Sequence, residues 1–261
     1  MAIRVLSVED AEKLMKLSIK AGNEMIINGA EIYRAEDTVE RILNSNKNIS
    51  EAECVFTYSS ILITFYYENK AYTAIKKVKD RKVNLEKVSL INSLSREFVS
   101  SSMNLDLAES LLEKIINSEE ISEYKKTIMS ALGCSLFTLT IGRSFKDFLA
   151  AFFATIISQI FLRVTRAGGR KYFMETLIGG LIATIFALIF SRLNLIDKVE
   201  NVIVGSILIL FPGLSLTNAV RDIMNGDMVS GMVGFIHAIF VAIALALGVG
   251  IMIKLNVFFG A

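Results

Sequence analysis

The chain has 261 residues, 53% hydrophobic and 21% charged, with 28 Lys and Arg against 26 Asp and Glu; soluble domains average about 45–50% apolar and about 25% charged residues. Residues 1–126 hold 18 basic and 20 acidic side chains, which leaves 10 and 6 for residues 127–261. There the charges separate uncharged stretches at 127–142, 148–162, 176–191, 201–220 and 228–253, a distribution that excludes a single soluble globule and predicts a soluble domain, 1–126, followed by a membrane domain, 127–261.

The first residues, Met-Ala-Ile-Arg-Val-Leu-Ser-Val-Glu-Asp, turn acidic before any long apolar run and do not read as a signal peptide. After Ser7, the residues Leu14, Leu17, Ala21, Met25, Ile32, Ala35, Val39 and Ile42 fall three or four apart, with Asn28 as a polar guest. This spacing predicts one helix, ended by Asn44–Ser50. Gly22 and Gly29 lie inside it, and each lowers helix stability by roughly 1 kcal/mol relative to alanine, which marks a close helix contact or a break near Gly29. Residues 52–58, 61–67 and 71–78 are rich in aromatic and β-branched types and read as strands, with a turn at Glu68-Asn69-Lys70.

A basic run follows at Lys76, Lys77, Lys79, Arg81 and Lys82. It reads either as a lysine-protected strand edge or as a contact for anionic lipid headgroups. Two further helices carry Val88, Ile91, Leu94 and Phe98, then Leu107, Leu111, Leu112 and Ile115, the second capped by Asn104. The order α-β-β-β-α-α describes a small cytoplasmic α+β domain. No glycine-rich phosphate loop, nucleophile elbow or His/carboxylate pair occurs, so the sequence does not read as an enzyme and implies no cofactor. Balanced charge argues against nucleic acid. Cys54 and Cys134 fall in different regions and His237 is the single histidine, which suggests neither disulfide nor metal site.

The membrane domain is expected to be α-helical with five transmembrane spans at about 127–142, 148–162, 172–191, 199–217 and 228–253. The first two are short and read either as full spans or as one re-entrant hairpin. The 163–171 loop holds Arg163, Arg166, Arg170 and Lys171 without an acid, which places it inside, with the N-terminal domain cytoplasmic and the C-terminus outside. An odd span count cannot make two equal halves, so an inverted-repeat transporter would take its other half from a second chain.

The densest polar chemistry is Phe211-Pro212-Gly213-Leu214-Ser215-Leu216-Thr217-Asn218-Ala219-Val220-Arg221-Asp222, followed by Gly226-Asp227 and Ser230-Gly231. Proline withdraws a backbone donor, and broken membrane helices offer free backbone groups to solutes. Two readings stand: a packing kink followed by an interfacial loop, or a substrate site built from Pro212, Gly213, Ser215, Thr217, Asn218, Arg221 and Asp222. Glu175, Asp227 and His237 are coupling or gating candidates. Glu175 also reads as an interface residue, and His237 as a structural hydrogen-bonding group.

Together with Ala21-Gly22-Asn23-Glu24-Met25, Gly29-Ala30-Glu31-Ile32-Tyr33-Arg34-Ala35-Glu36 and Asn92-Ser93-Leu94-Ser95-Arg96, the Pro212–Gly231 run resembles the threonine/serine exporter family, specifically its N-terminal half-module, over about residues 10–255. The resemblance implies a cell-membrane secondary exporter of a small hydrophilic metabolite: threonine or serine in the fused members, a dicarboxylate such as succinate in a split pair. In that pair the half-module works with a smaller multi-span membrane subunit; a homo-oligomer is the other arrangement. The alternative from a different class is a membrane-tethered ligand-sensing or assembly protein.

Overall fold

The computed structural model describes residues 5–79, 81–101, 103–166 and 172–259. Its contacts divide the chain into two compact units, Met1–Glu119 with Leu214–Ile236, and Glu120–Gly213 with His237–Ala261.

The first unit opens with α1 (Val8–Ile27), where the Ser7 hydroxyl accepts the Asp10 N–H at 3.2 Å. The helix stops at Gly29, whose φ is +96°. Ala30 N–H reaches Met25 O at 3.0 Å and Gly29 N–H reaches Ile26 O at 3.2 Å, the pair of bonds with which a left-handed glycine closes a helix. α2 (Ile32–Asn44) begins three residues later. The apolar seam expected to form one helix therefore forms two, and the order is α-α-β-β-β-α-α, not α-β-β-β-α-α.

β1 (Ser50–Phe56), β2 (Ser60–Tyr67) and β3 (Lys70–Lys77) make an antiparallel meander with β2 in the centre. Glu68 and Asn69 take φ of 49° and 59°, the backbone of a two-residue hairpin turn. α3 (Leu85–Ser100) and α4 (Leu105–Ile116) follow, capped by Asn84 and Asn104. One sheet face buries Ile61, Ile63 and Phe65 against Leu14, Met25, Val39, Ile91, Phe98 and Leu112. Gly22 lets α1 close on the sheet: a Cβ there would lie 2.6 Å from Phe56 Cζ. The inner stripe of α4 is Leu105, Ala108 and Leu112, and Leu107, expected inside, is 48% exposed.

The second unit contains α5 (Glu123–Gly142), α6 (Phe145–Arg166), α7 (Tyr172–Arg192), α8 (Val199–Ile207) and a single 3-10 turn, Leu208–Leu210. α9 (Gly213–Met224) follows, and α10 (Met228–Phe259) begins in the first unit and ends in the second. The stretches expected at 127–142 and 148–162 extend into their charged flanks and become helices of 20 and 22 residues, about 30 Å each at 1.5 Å per residue. Among the described residues three helices are long and apolar enough to cross a membrane: Phe145–Val164, Phe173–Arg192 and Met228–Phe259. A fourth counts if Val199–Leu210 and Gly213–Met224, bent by 60°, are one span.

This is fewer than the five spans expected. α5 is long enough but too polar, with Glu123, Lys125 and Lys126 in its first turn and hydroxyls such as Thr127, Ser135 and Thr138 returning bonds to carbonyls four residues back. The bulk of the basic loop, residues 167–171, lies outside the described residues, as do the side chains of Arg166 and Tyr172.

α8 packs against α5, α6 and α7. Small residues set these approaches: Gly205 sits against Thr138, Gly180 against Leu245 O, and Ala151, Ala154, Ala183 and Ala187 are fully buried. Close backbone approach through small side chains is how apolar helices associate without a hydrophobic driving force. Asp147 on α6 is fully buried and accepts the N–H groups of Asp197 and Lys198 at 2.8 and 3.3 Å and Asn201 Nδ2 at 2.9 Å. Its carboxylate thereby serves the free amides at the start of α8.

Candidate functional site

From Leu214 onward the Pro212–Gly231 run falls in the unit that contains residues 1–119, while Pro212 and Gly213 fall in the other. Pro212 is buried at the break, and the Gly213 N–H turns back to Phe211 O at 2.8 Å. α9 then carries three polar side chains onto the α1–α2 turn. Asn218 Nδ2 donates to Gly29 O at 2.9 Å, Arg221 Nη1 meets Glu31 Oε1 at 2.7 Å, and Asp222 Oδ1 accepts the Ile32 N–H at 2.9 Å. The first N–H groups of a helix have no partner of their own, and α2 lacks a side-chain cap from its own Glu31. Asp222 supplies the missing acceptor from 190 residues away. Its negative charge suits the positive end of the helix dipole.

The chain turn after α9 extends the same arrangement. Gly226 takes φ +101°, Asp227 N–H returns to Asp222 O at 2.9 Å, and Ser230 Oγ donates to Phe56 O at 3.3 Å. Gly231 fits against Ala219 O, 2.8 Å from where its Cβ would stand. Ser215 and Thr217 lie exposed on α9. The three- and four-residue spacing thus does bring Asn218 and Asp222 together, and the groups they meet belong to Gly29, Glu31 and Ile32. Sequence reasoning placed Gly29-Ala30-Glu31 in one family motif and Asn218–Asp222 in another, with nothing to join them.

Several acids converge near this contact. Burial pushes the Asp222 carboxyl up from 3.8 to about 6, against the pull of the Ile32 and Tyr33 amides, and nearby Asp227 and Glu31 add to the rise. Burial, then the charges of Asp227 and Glu40, push Glu36 up from 4.5 to about 7. Asp227 is itself raised by burial. Arg81 lies among these groups, its guanidinium 4.0 Å from the centre of the Tyr58 ring and donating to Tyr58 O at 2.6 Å.

Among the described residues, Glu36, Glu40 and Cys54 bring one ligand atom each within 4.8 Å of one another. Burial, with Glu40 and Glu36 beside it, pushes the Cys54 thiol well above its ordinary range, which disfavours the thiolate that binds metals.

The other expected residues lie in the second unit. Glu175 is half-buried in the first turn of α7 and lines a small cavity. His237 is on an exposed side of α10.

The family model for the threonine/serine exporter, ThrE, matches residues 16–256. The chain belongs to the threonine/serine exporter family. A relative from Klebsiella aerogenes, named a probable succinate transporter subunit, YjjP, is 21% identical over 238 residues, covering 90% of each chain. No solved structure matches. Family and relative alike are transporters and not enzymes. The chain is accordingly a multi-pass membrane transport protein.

Proposed function

We propose that the chain is one subunit of a split secondary exporter for a small polar metabolite, threonine, serine or a dicarboxylate such as succinate. The observation that carries this reading is the relative: a chain of matching extent, covered over 90% of its length, is itself named a subunit. In the proposed topology five segments cross the membrane, α5, α6, α7, α8 with its 3-10 turn, and α10. The N-terminal domain is cytoplasmic and the C-terminus outside. α9 lies outside the bilayer, in keeping with its polar contacts to the α1–α2 turn. The missing half comes from a smaller membrane subunit, because five crossings cannot supply a pair of repeats that rock against each other.

Within this reading, Asn218, Arg221 and Asp222 hold α9 to the α1–α2 turn, and Pro212-Gly213 marks the break ahead of α9. Ser215 and Thr217, exposed on α9, are the residues of the run left to meet solute. Asp227, beside Glu36 and Asp222, and Glu175 are the groups proposed to respond to protons. Reconstituted alone in liposomes, the chain should move neither threonine, serine nor succinate above empty vesicles; with its second subunit it should move at least one. Robust transport by this chain alone would overturn the split-subunit reading.

A further inference from the structure

The basic run that follows β3 has no part in the transport reading above. β3 is an outer strand, and Lys76 and Lys77 stand at its end, opposite Ile61 and Ser60 of β2. Lysines in that position protect an open strand edge. Lys79 and Lys82 lie past the strand and have no edge to protect. Arg81 is held on Tyr58, by its bond to the carbonyl and its place over the ring.

The connection from β3 to α3 folds back on the end of α1. Val78 is buried and its N–H donates to Ser59 O at 2.8 Å. The Lys82 N–H then donates to Ile27 O at 2.7 Å and the Asn84 N–H to Asn28 O at 2.9 Å. The last carbonyls of a helix have no donor within it, so α1 takes its donors from this connection. The fold-back gathers Lys76, Lys77, Lys79 and Lys82 around one open hollow of about 570 Å³, with Asn23 and Ile27 of α1 as its other wall. No acidic side chain lines it among the described residues. The carbonyl end of α1 carries partial negative charge and eases the repulsion among the ammonium groups; the field that remains is positive.

The lining selects among anions. Lysines act as point charges without the guanidinium fork that fixes one carboxylate or phosphate in place. Among the described lining residues there is no aromatic ring to stack a base, and Asn23 is the single neutral polar side chain. Such a hollow attracts phosphate charge without specifying one small molecule. Exposed apolar side chains bracket the run, Ile75 at 74% and Val83 at 66%, and a lipid interface accepts apolar and basic groups together. Position agrees. A Cβ on Gly29 would stand 3.4 Å from Leu214 Cδ2 and 3.6 Å from Lys82 O, so Leu214 and Lys82 share a corner. Leu214 comes four residues after Leu210, the end of the apolar stretch Val199–Leu210, and four residues of chain span at most about 14 Å.

We propose that this hollow is a docking surface for the phosphate headgroups of anionic lipids, which hold this corner of the N-terminal domain to the membrane. The proposal rests on the topology given above, in which α8 and its 3-10 turn cross the bilayer, and not on the identity of the solute. Anionic lipid attracts basic segments that lie beside a membrane helix, and the attraction falls off within a Debye length, about 8 Å at physiological salt. The short tether through Leu214 supplies that proximity.

The test places the purified full chain in nanodiscs of phosphatidylcholine alone, or with phosphatidylglycerol as about a third of the lipid. Amide exchange over residues 75–84 should be several-fold slower in the anionic discs. Salt at about 1 M, where the Debye length is about 3 Å, should remove the difference. Lys76→Gln, Lys77→Gln and Lys79→Gln together should abolish it while exchange in α1 and β2 stays as in the wild type. The corresponding arginine triple should keep it, because charge is what the surface reads. In a chain lacking Cys54 and Cys134, a nitroxide on Val83→Cys should be shielded from a water-soluble relaxation agent in the anionic discs alone. Exchange that ignores lipid charge, or lipid dependence that survives the glutamine triple, would overturn the proposal. Inorganic phosphate that protects the run equally well in neutral discs would overturn it too, in favour of a free anion. Export by the assembled pair is measured apart: export with lipid-independent exchange removes this docking and leaves the exporter, while lipid-dependent exchange without export overturns the exporter alone.

Discussion

Asp222 faces two opposed demands. As an acceptor for the first amide of α2 it contributes about 1 kcal/mol, the usual worth of an N-cap, yet its burial makes the charged form unfavourable and lifts its pKa to about 6. Its folded pKa is raised, so its contribution to docking is complete below the ordinary value of 3.8 and is lost as pH rises through about 6. Glu36, at about 7, acts in the same direction. Acidification from pH 8 to pH 5 should therefore tighten the hold of α9 on the α1–α2 turn. After correction for intrinsic rates, amide hydrogen exchange over residues 214–231 should be slower at pH 5 than at pH 8. Asp222→Asn keeps a carbonyl acceptor and removes the charge, so it should flatten much of this dependence while preserving protection of Ile32. Asp222→Ala loses the acceptor as well and should expose both segments at every pH. If exchange in the wild type is independent of pH, the carboxylates are not coupled to docking.

The α1–α2 turn shows what a periodic seam conceals. Leu14 to Ile42 keeps its three- and four-residue spacing straight across residues 28–31, because the short turn returns the chain in phase with the core. Only Gly29 betrays the break, and it does so as a helix-weakening residue. What sequence reasoning could not assign is the far partner: the uncharged stretch 201–220 averages as membrane, although α9, which begins inside it and runs on to Met224, has one side turned to Gly29 and Ile32. The strands and α3 were legible because their apolar residues alternate or recur against a single sheet face, which needs no distant partner to be seen. Gly29 and Gly226 offer a paired test, since both sit at positive φ, 96° and 101°. An alanine in that region costs about 1–2 kcal/mol, but at Gly29 its Cβ would also stand 3.4 Å from Leu214 Cδ2, while at Gly226 nothing lies within 4 Å. Gly29→Ala should raise hydrogen exchange in both 26–32 and 214–224; Gly226→Ala should raise it only near 222–231. Equal, purely local effects would show that Gly29 serves its own turn alone.

The chain enters the first unit twice, through residues 1–119 and again through Leu214–Ile236, and threads the second unit between these visits. The division into an N-terminal soluble part and a C-terminal membrane part, which charge distribution suggests, misses this return, since hydropathy reads position along the chain and not the partner reached. A return of this kind makes the Arg221–Glu31 pair a test of whether docking matters for transport. Glu31 has a side chain only 6% exposed, while Arg221 is 54% exposed. Solvent weakens their attraction on the arginine side, and removing Arg221 leaves the buried Glu31 carboxylate with Arg34, 3.4 Å away, as its remaining ion-pair partner among the described residues. Glu31→Arg and Arg221→Glu should each place like charges together and lower export by the assembled transporter about tenfold, equivalent to about 1.4 kcal/mol. The double exchange restores opposite charges and should recover most of the activity, with membrane abundance the same in all four proteins. Recovery is the decisive outcome, because a pair that acts only by attraction tolerates inversion and a solute contact does not. Single variants that export normally would leave α9 as scaffold without a part in transport. A double variant that stays inactive while both segments remain protected from exchange would return Arg221 to the solute.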